Sequence, residues 1–125
     1  MSNRIDGLKV LRSFRFAGQG MLALFRLENN AKVHLLLAML VIAAGLWLGL
    51  SRVEWAIILT QIGLVWAAEA INTAIEKLCD FVSPGLNPQI KAIKDMASGA
   101  VLMVAIMAVV VGLLVLGGRV LEVYF

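Results

Sequence analysis

Charged residues and cysteine are both scarce in this sequence, and each scarcity excludes a class of protein. Only 15% of the 125 residues are charged and 62% are hydrophobic, whereas soluble domains have about 25% charged and about 45–50% apolar residues. Cys79 is the only cysteine, which excludes an intramolecular disulfide and a cysteine-based metal site. The composition therefore predicts an integral membrane protein with one domain, residues 1–125.

Two common phosphate-binding patterns are missing as well. The chain has neither a G-x-x-x-x-G-K loop nor a histidine-arginine-aspartate catalytic loop, so a nucleotide would have to be bound differently from the common kinase designs. The net charge of +3 could suggest a nucleic-acid partner, but the chain lacks a polar fold to carry such a binding face. We expect no nucleic-acid partner and attribute the basic residues to membrane orientation.

Three apolar segments approach or reach the length that crosses a bilayer, about 17–25 residues. We predict an all-α protein whose spans lie at about residues 33–50, 55–75 and 97–118. Residues 51–54 would form the turn between the first two spans. Two prolines and a glycine within residues 83–88 would end the second helix. Asn87 followed by Pro88 would then begin the last helix, as a cap and a first helical residue.

The N-terminal stretch, about residues 5–27, predicts an amphipathic helix at the membrane surface. Arginines interrupt its apolar residues, so it does not resemble a secretory signal. Gly18-Gln19-Gly20 lies within it, and we expect this glycine pair to interrupt the helix with a bend or a close helix contact.

The basic residues predict the orientation of the chain. Three spans place the termini on opposite sides of the membrane. All lysines and arginines except Arg52 and Arg119 would then fall on the side of the N-terminus. The positive-inside rule makes that side the cytoplasm. We expect a multi-pass protein of the cell (inner) membrane, with a cytoplasmic N-terminus and an external C-terminus.

A set of polar side chains lies on the second apolar segment. Glu69, then Asn72 or Thr73, then Glu76 and Asp80 follow one another at three or four residues, so they line one side of a helix, called here the acidic face. An ionisable group at the hydrocarbon is costly unless it faces a partner, a cation or water. Carboxylates on one face repel one another unless a cation lies between them, and Mg²⁺ prefers carboxylate oxygens. The acidic face therefore predicts a metal-assisted site at the membrane surface.

A shorter polar stretch precedes the first span. Glu28 lies between Arg26 and Lys32, and this spacing alone indicates an exposed interfacial acid. His34 is the only histidine, and without a nearby histidine or cysteine it indicates a partnered interfacial side chain rather than a metal ligand.

The residues by themselves leave two classes of function open. The acidic face could belong to an enzyme, or Glu69, Glu76 and Asp80 could form an acidic ring in a non-catalytic membrane oligomer or cation channel. A conducting ring would need only the acids. An enzyme would also need Lys94 and Asp95.

Two motifs carry a resemblance to a known family. The run Glu-Ala-Ile-Asn-Thr-Ala-Ile-Glu at residues 69–76 with Asp80, and the run Lys-Asp-Met-Ala-Ser-Gly-Ala-Val-Leu at residues 94–102, closely resemble the signature of the small prokaryotic diacylglycerol kinase and undecaprenol kinase family. The resemblance covers nearly the whole chain. It implies a homotrimer of three-span subunits whose active sites lie near the cytoplasmic surface and are shared between neighbouring subunits.

The resemblance also implies a role for each matching residue. Glu69 would be the general base that takes the proton of the lipid hydroxyl. Glu28 and Glu76 would hold Mg²⁺ together with the phosphates of ATP. The resemblance thereby changes the expectation for Glu28 from an exposed surface acid to a metal ligand. The other implied site residues are Lys94 at the phosphates, Asn72 and Asp95 ordering the site, Asp80 and Ser98 supporting it, and Lys9, Phe16, Gly85, Leu86 and Asn87 covering the nucleotide.

Three positions indicate which lipid is the substrate. Lys32 followed two residues later by His34 resembles the undecaprenol kinase branch of the family. The diacylglycerol kinase branch usually has an acid where His34 stands and a tyrosine where Phe16 stands. The resemblance therefore favours undecaprenol as the substrate, with diacylglycerol as the alternative.

Overall fold

The computed structural model describes residues 3–125 and shows four α-helices in that range. They are α1 Gly7–Leu27, α2 Asn29–Leu48, α3 Arg52–Val82 and α4 Pro88–Tyr124. The last three are long and apolar enough to cross a membrane. The predicted all-α class with three candidate spans is confirmed. Residues 1 and 2 of the predicted domain lie outside the described residues.

The first and last helices each begin with a side-chain cap, and the cap of the last helix is at the predicted place. The carboxylate of Asp6 accepts the backbone N–H of Leu8 at 3.1 Å, which starts α1. The side chain of Asn87 accepts the N–H of Gln89 at 2.9 Å, and Pro88 occupies the first helical position of α4. Because these caps satisfy N–H groups that a helix start leaves free, the two starts are encoded locally. The expected start of the last helix at Asn87-Pro88 is confirmed.

The turn predicted at residues 51–54 is wrong, because these residues begin α3. Ser51 Oγ accepts the N–H of Glu54 at 3.2 Å, and Glu54 Oε1 accepts the N–H of Ser51 at 3.0 Å. This reciprocal capping box stabilises the first turn of a helix, so the chain is already helical at Arg52. The reversal instead lies at Gly49, whose φ of 68° falls in the left-handed region that glycine adopts without a steric penalty.

The interruption expected at Gly18-Gln19-Gly20 is also wrong. α1 is helical through all three residues. A Cβ placed on either glycine would meet nothing within 4 Å, so no close helix contact requires them. A glycine inside a helix costs about 1 kcal/mol relative to alanine, which weakens a helix without ending it.

The C-terminal half of α1 is anchored to α3 by two aromatic rings. Phe25 and Trp66 meet edge to face with centroids 5.2 Å apart, an arrangement that aromatic pairs prefer. Leu24 is the residue of α1 that is buried. Trp66 therefore connects the surface helix to the second span.

At the other end of the molecule, α4 is tied to the α2–α3 turn. Arg119 Nη2 donates to the carbonyl oxygen of Gly49 at 2.8 Å, and Arg119 Nη1 lies 3.9 Å from Glu54 Oε1. Trp47 Nε1 donates to the hydroxyl of Tyr124 at 3.0 Å. These contacts fix the ends of three helices together.

Candidate active site

The acidic face begins with a buried carboxylate. Glu69 lies on α3 and only 3% of it is exposed. Its Oε2 lies 3.7 Å from Nε2 of His34 on α2. An ionisable group buried among apolar helices is stable only when it faces a partner, and His34 provides that partner.

One helical turn further along α3, Asn72 is also buried, with 7% exposed. Its Nδ2 donates to Glu76 Oε1 at 3.5 Å. Its Oδ1 is buried and has no hydrogen-bond partner within the described residues. Leaving such an oxygen without a partner costs about 1–3 kcal/mol. Asn72 thus contacts Glu76 through its amide nitrogen, while its buried amide oxygen has no partner among the described residues.

Glu28 reaches the same region from the junction of α1 and α2. Its backbone N–H donates to the Leu24 carbonyl at 3.0 Å, which ends α1, and its half-buried side chain lies 3.7 Å from Nζ of Lys77. Lys77 lies on α3, the helix that also carries Glu69 and Glu76. Glu28, one of the two predicted metal ligands, is therefore beside the helix of the acidic face.

The donor set decides which metal this region could hold. Over residues 3–125, no group of three or more histidine, cysteine, aspartate or glutamate side chains is arranged to hold a metal ion. Mg²⁺ is usually bound by one or two carboxylates together with phosphate oxygens and water, rather than by a protein cage. The Glu28 and Glu76 carboxylates fit that mode, in which the nucleotide supplies the remaining oxygens.

Lys94 joins the far end of the acidic face. Its ammonium donates a hydrogen bond to Asp80 across the α3–α4 contact, and the charge of Glu76 also acts on it. Asp95 behaves differently, because it is exposed and its Oδ2 accepts from Lys91 of its own helix at 2.6 Å. The structure thus brings Lys94 to the acidic face and gives Asp95 a local partner.

The residues expected to cover the nucleotide are exposed. Phe16 on α1 is 64% exposed, and Leu86 in the α3–α4 loop is fully exposed. Lys9, Gly85 and Asn87 are exposed too, as is Ser98, which was expected to support the site. Within the described part of one chain, no hydrogen bond or ion pair joins their side chains to the acidic face. Their predicted roles remain predictions.

An apolar groove of about 320 Å³ runs between α2, α3 and α4. This volume lies at the lower end of the range for ligand pockets, about 300–1,000 Å³. The groove is lined by mostly apolar side chains, among them His34, Ala38, Ile58, Gln61, Ala108 and Gly112. Since His34 also contacts Glu69, the groove ends beside the buried carboxylate.

Two features of the site were not predicted from the sequence. His34 was expected only as a partnered interfacial side chain, and its partner, Glu69, lies on another helix. The unpaired oxygen of Asn72 likewise depends on how the helices pack. The sequence does place a histidine and an acid on adjacent spans. This alone does not determine which side chains meet.

Comparisons with known proteins give consistent results. The profile described as prokaryotic diacylglycerol kinase matches residues 15–116. The chain is 37% identical over 107 residues to the undecaprenol kinase of Bacillus subtilis, which covers 86% of this chain and 87% of that protein. It is 36% identical over 104 residues to a diacylglycerol kinase of Synechocystis, covering 82% of this chain and 59% of that protein. Identity to the Escherichia coli K12 diacylglycerol kinase is 24% over 111 residues, covering 88% of this chain and 91% of that protein.

Proposed function

The chain belongs to the prokaryotic diacylglycerol kinase family of lipid kinases, and from this we propose that it transfers the γ-phosphate of ATP to the hydroxyl of a membrane lipid. One observation carries the proposal: the buried carboxylate of Glu69 lies beside the end of an apolar groove. A lipid alcohol has to place its hydroxyl next to a base while its hydrocarbon chain stays in an apolar environment. The arrangement of Glu69 and the groove meets both requirements.

In the reaction, Glu69 accepts the proton of the lipid hydroxyl. The lipid oxygen forms a bond to the γ-phosphorus, and the bond between that phosphorus and the β-phosphate oxygen breaks, which leaves ADP. Phosphoryl transfer depends mainly on positioning and on neutralising phosphate charge. A base must come within about 2.6–3.2 Å of the proton that it removes.

The remaining charges serve the nucleotide. Glu28 and Glu76 would hold Mg²⁺, and the bound ion would neutralise phosphate charge. Lys94 contacts the phosphates from the other side of the acidic face, with Asp80 holding its ammonium in place. Asn72 orients Glu76, Asp95 orders the site, and Ser98 supports it.

The nucleotide is covered by surfaces that one chain leaves exposed. Lys9 and Phe16 on α1 and the loop of Gly85, Leu86 and Asn87 cover the adenine and phosphates in a homotrimer whose sites are shared between subunits. The large apolar surfaces of α2 and α4 that remain exposed in one chain support both membrane insertion and assembly. The N-terminus and the site face the cytoplasm, as the distribution of basic residues indicates.

We favour undecaprenol over diacylglycerol as the lipid. The relative from Bacillus subtilis is an undecaprenol kinase, and the match covers most of both chains. The groove beside Glu69 is lined by mostly apolar side chains, which suits the hydrocarbon chain of a polyprenol. Diacylglycerol, which would make phosphatidic acid, is the alternative that the diacylglycerol kinase relatives support.

The test is transfer of labelled γ-phosphate from Mg-ATP by the purified protein in micelles that contain undecaprenol and diacylglycerol side by side. We expect label in undecaprenol, and loss of label in Glu69→Gln, which keeps the shape but cannot take the proton. Glu122→Gln is the matched control, since Glu122 is an exposed acid at the opposite end of the molecule. Label in neither lipid from a folded protein would refute the kinase and favour a non-catalytic membrane oligomer or cation channel. A Glu69→Gln variant with full turnover would refute the assigned base.

A further inference from the structure

Each acid around the site has its own partner. Glu28 lies near Lys77, Asp80 accepts from Lys94, and Glu76 accepts from Asn72. Glu69 is the most deeply buried of these acids, and its partner is His34. His34 is the one basic side chain whose nitrogen lies within 4 Å of the Glu69 carboxylate among the described residues.

Small buried residues flank His34 on its face of α2. Ala31 is fully buried and Ala38 is 5% exposed, and at three and four residues from His34 they lie on the same helix face. Small side chains allow helices to approach closely in a membrane. This close approach lets an imidazole on α2 reach a carboxylate on α3.

The distance between His34 and Glu69 matters for the role of the pair. Nε2 and Oε2 are 3.7 Å apart, longer than the usual N–H···O hydrogen bond of about 2.7–3.2 Å. Hydrogen bonds among catalytic groups are often long without substrate and shorten in the complex. The imidazole can thus hold one carboxylate oxygen and leave the other to the substrate.

We propose that His34 is a positioning residue that fixes the Glu69 carboxylate at the end of the apolar groove. Nε2 holds Oε2, and Oε1 is left to accept the proton of the lipid hydroxyl. His34 also lines the groove, so it links the place of the hydrocarbon chain to the place of proton transfer. This inference rests on the proposed lipid kinase function.

The experiment compares His34→Ala and His34→Gln with the wild-type protein in the labelled-phosphate assay. We expect His34→Ala to lower kcat about tenfold or more, because a misplaced catalytic group can cost about 100-fold, while KM for Mg-ATP stays the same. His34→Gln should recover much of the rate, since its amide N–H can still donate to Glu69. Added imidazole should restore part of the rate of His34→Ala.

The control is Val33→Ala, a neighbouring α2 residue that is 54% exposed, which should leave kcat unchanged. A His34→Ala variant with wild-type kcat would overturn the inference. So would a His34→Gln variant as slow as His34→Ala together with no response to imidazole, because a purely structural role gives that pattern. A folded wild-type protein that labels no lipid would overturn the proposed function itself. The wild-type measurement alone therefore separates failure of the proposed function from failure of the inference about His34.

Discussion

Filling the apolar groove should weaken binding of the lipid without changing that of the nucleotide. Gly112 lies on α4 and lines the groove, and a Cβ placed there would meet nothing within 4 Å. Gly112→Leu therefore projects a side chain into open space, and the backbone tolerates it because leucine favours a helix more than glycine does. The added atoms then compete with the hydrocarbon chain of the substrate for the same volume.

The expected change in KM for the lipid depends on the environment that the displaced hydrocarbon chain enters. A lipid chain excluded from the groove enters the bilayer, which is as apolar as leucine, so no hydrophobic transfer energy to water is lost. What remains is the cost of overfilling an apolar site, about 1–3 kcal/mol. Since about 1.4 kcal/mol corresponds to a tenfold change in affinity, we expect KM for the lipid to rise about 5- to 150-fold.

The assay measures KM for undecaprenol and for Mg-ATP in micelles, alongside the oligomeric state in detergent. Gly117→Leu is the matched control: Gly117 also lies on α4, a Cβ there also meets nothing within 4 Å, and it does not line the groove. Unchanged lipid KM in Gly112→Leu, or an equal rise in both variants, would refute the role of the groove. A change of oligomeric state confined to Gly112→Leu would show that a second copy of the chain occupies the groove instead.

Three further predictions concern other contacts. Lys94→Ala should lower phosphate transfer and raise KM for Mg-ATP, because a phosphate-binding ammonium is lost; unchanged kinetics would contradict its predicted role. Arg119→Ala should lower the free energy of unfolding by about 1–3 kcal/mol, since the Gly49 carbonyl loses a charged donor; denaturant unfolding in micelles, with activity of the folded protein as control, measures this. Phe25→Ala should remove about 0.5–1.5 kcal/mol of interaction free energy with Trp66 and should therefore speed amide hydrogen exchange in α1. Phe14→Ala, at an exposed position of the same helix, should leave that exchange unchanged.

Local signals predicted much of the fold. Apolar length predicted three candidate spans, and the cap at Asn87 predicted the start of α4. The two wrong expectations were also local. The Ser51–Glu54 pair formed a capping box instead of a turn, and the backbone hydrogen bonds of α1 continued through Gly18 and Gly20. In each case the chain is helical at polar or glycine residues that had suggested a turn or an interruption.

The candidate site was predictable only in part. The period of α3 alone places Glu69, Asn72, Glu76 and Asp80 on one face, because a helix turns by a constant angle per residue. The sequence thereby determined the helices, the acidic face and, through its motifs, the family. Only the tertiary structure decided that Glu69 meets His34, since contacts between helices depend on their rotation and distance, which packing sets. The groove beside that pair exists for the same reason: its walls come from three helices, and no single segment of the chain encodes the space between them.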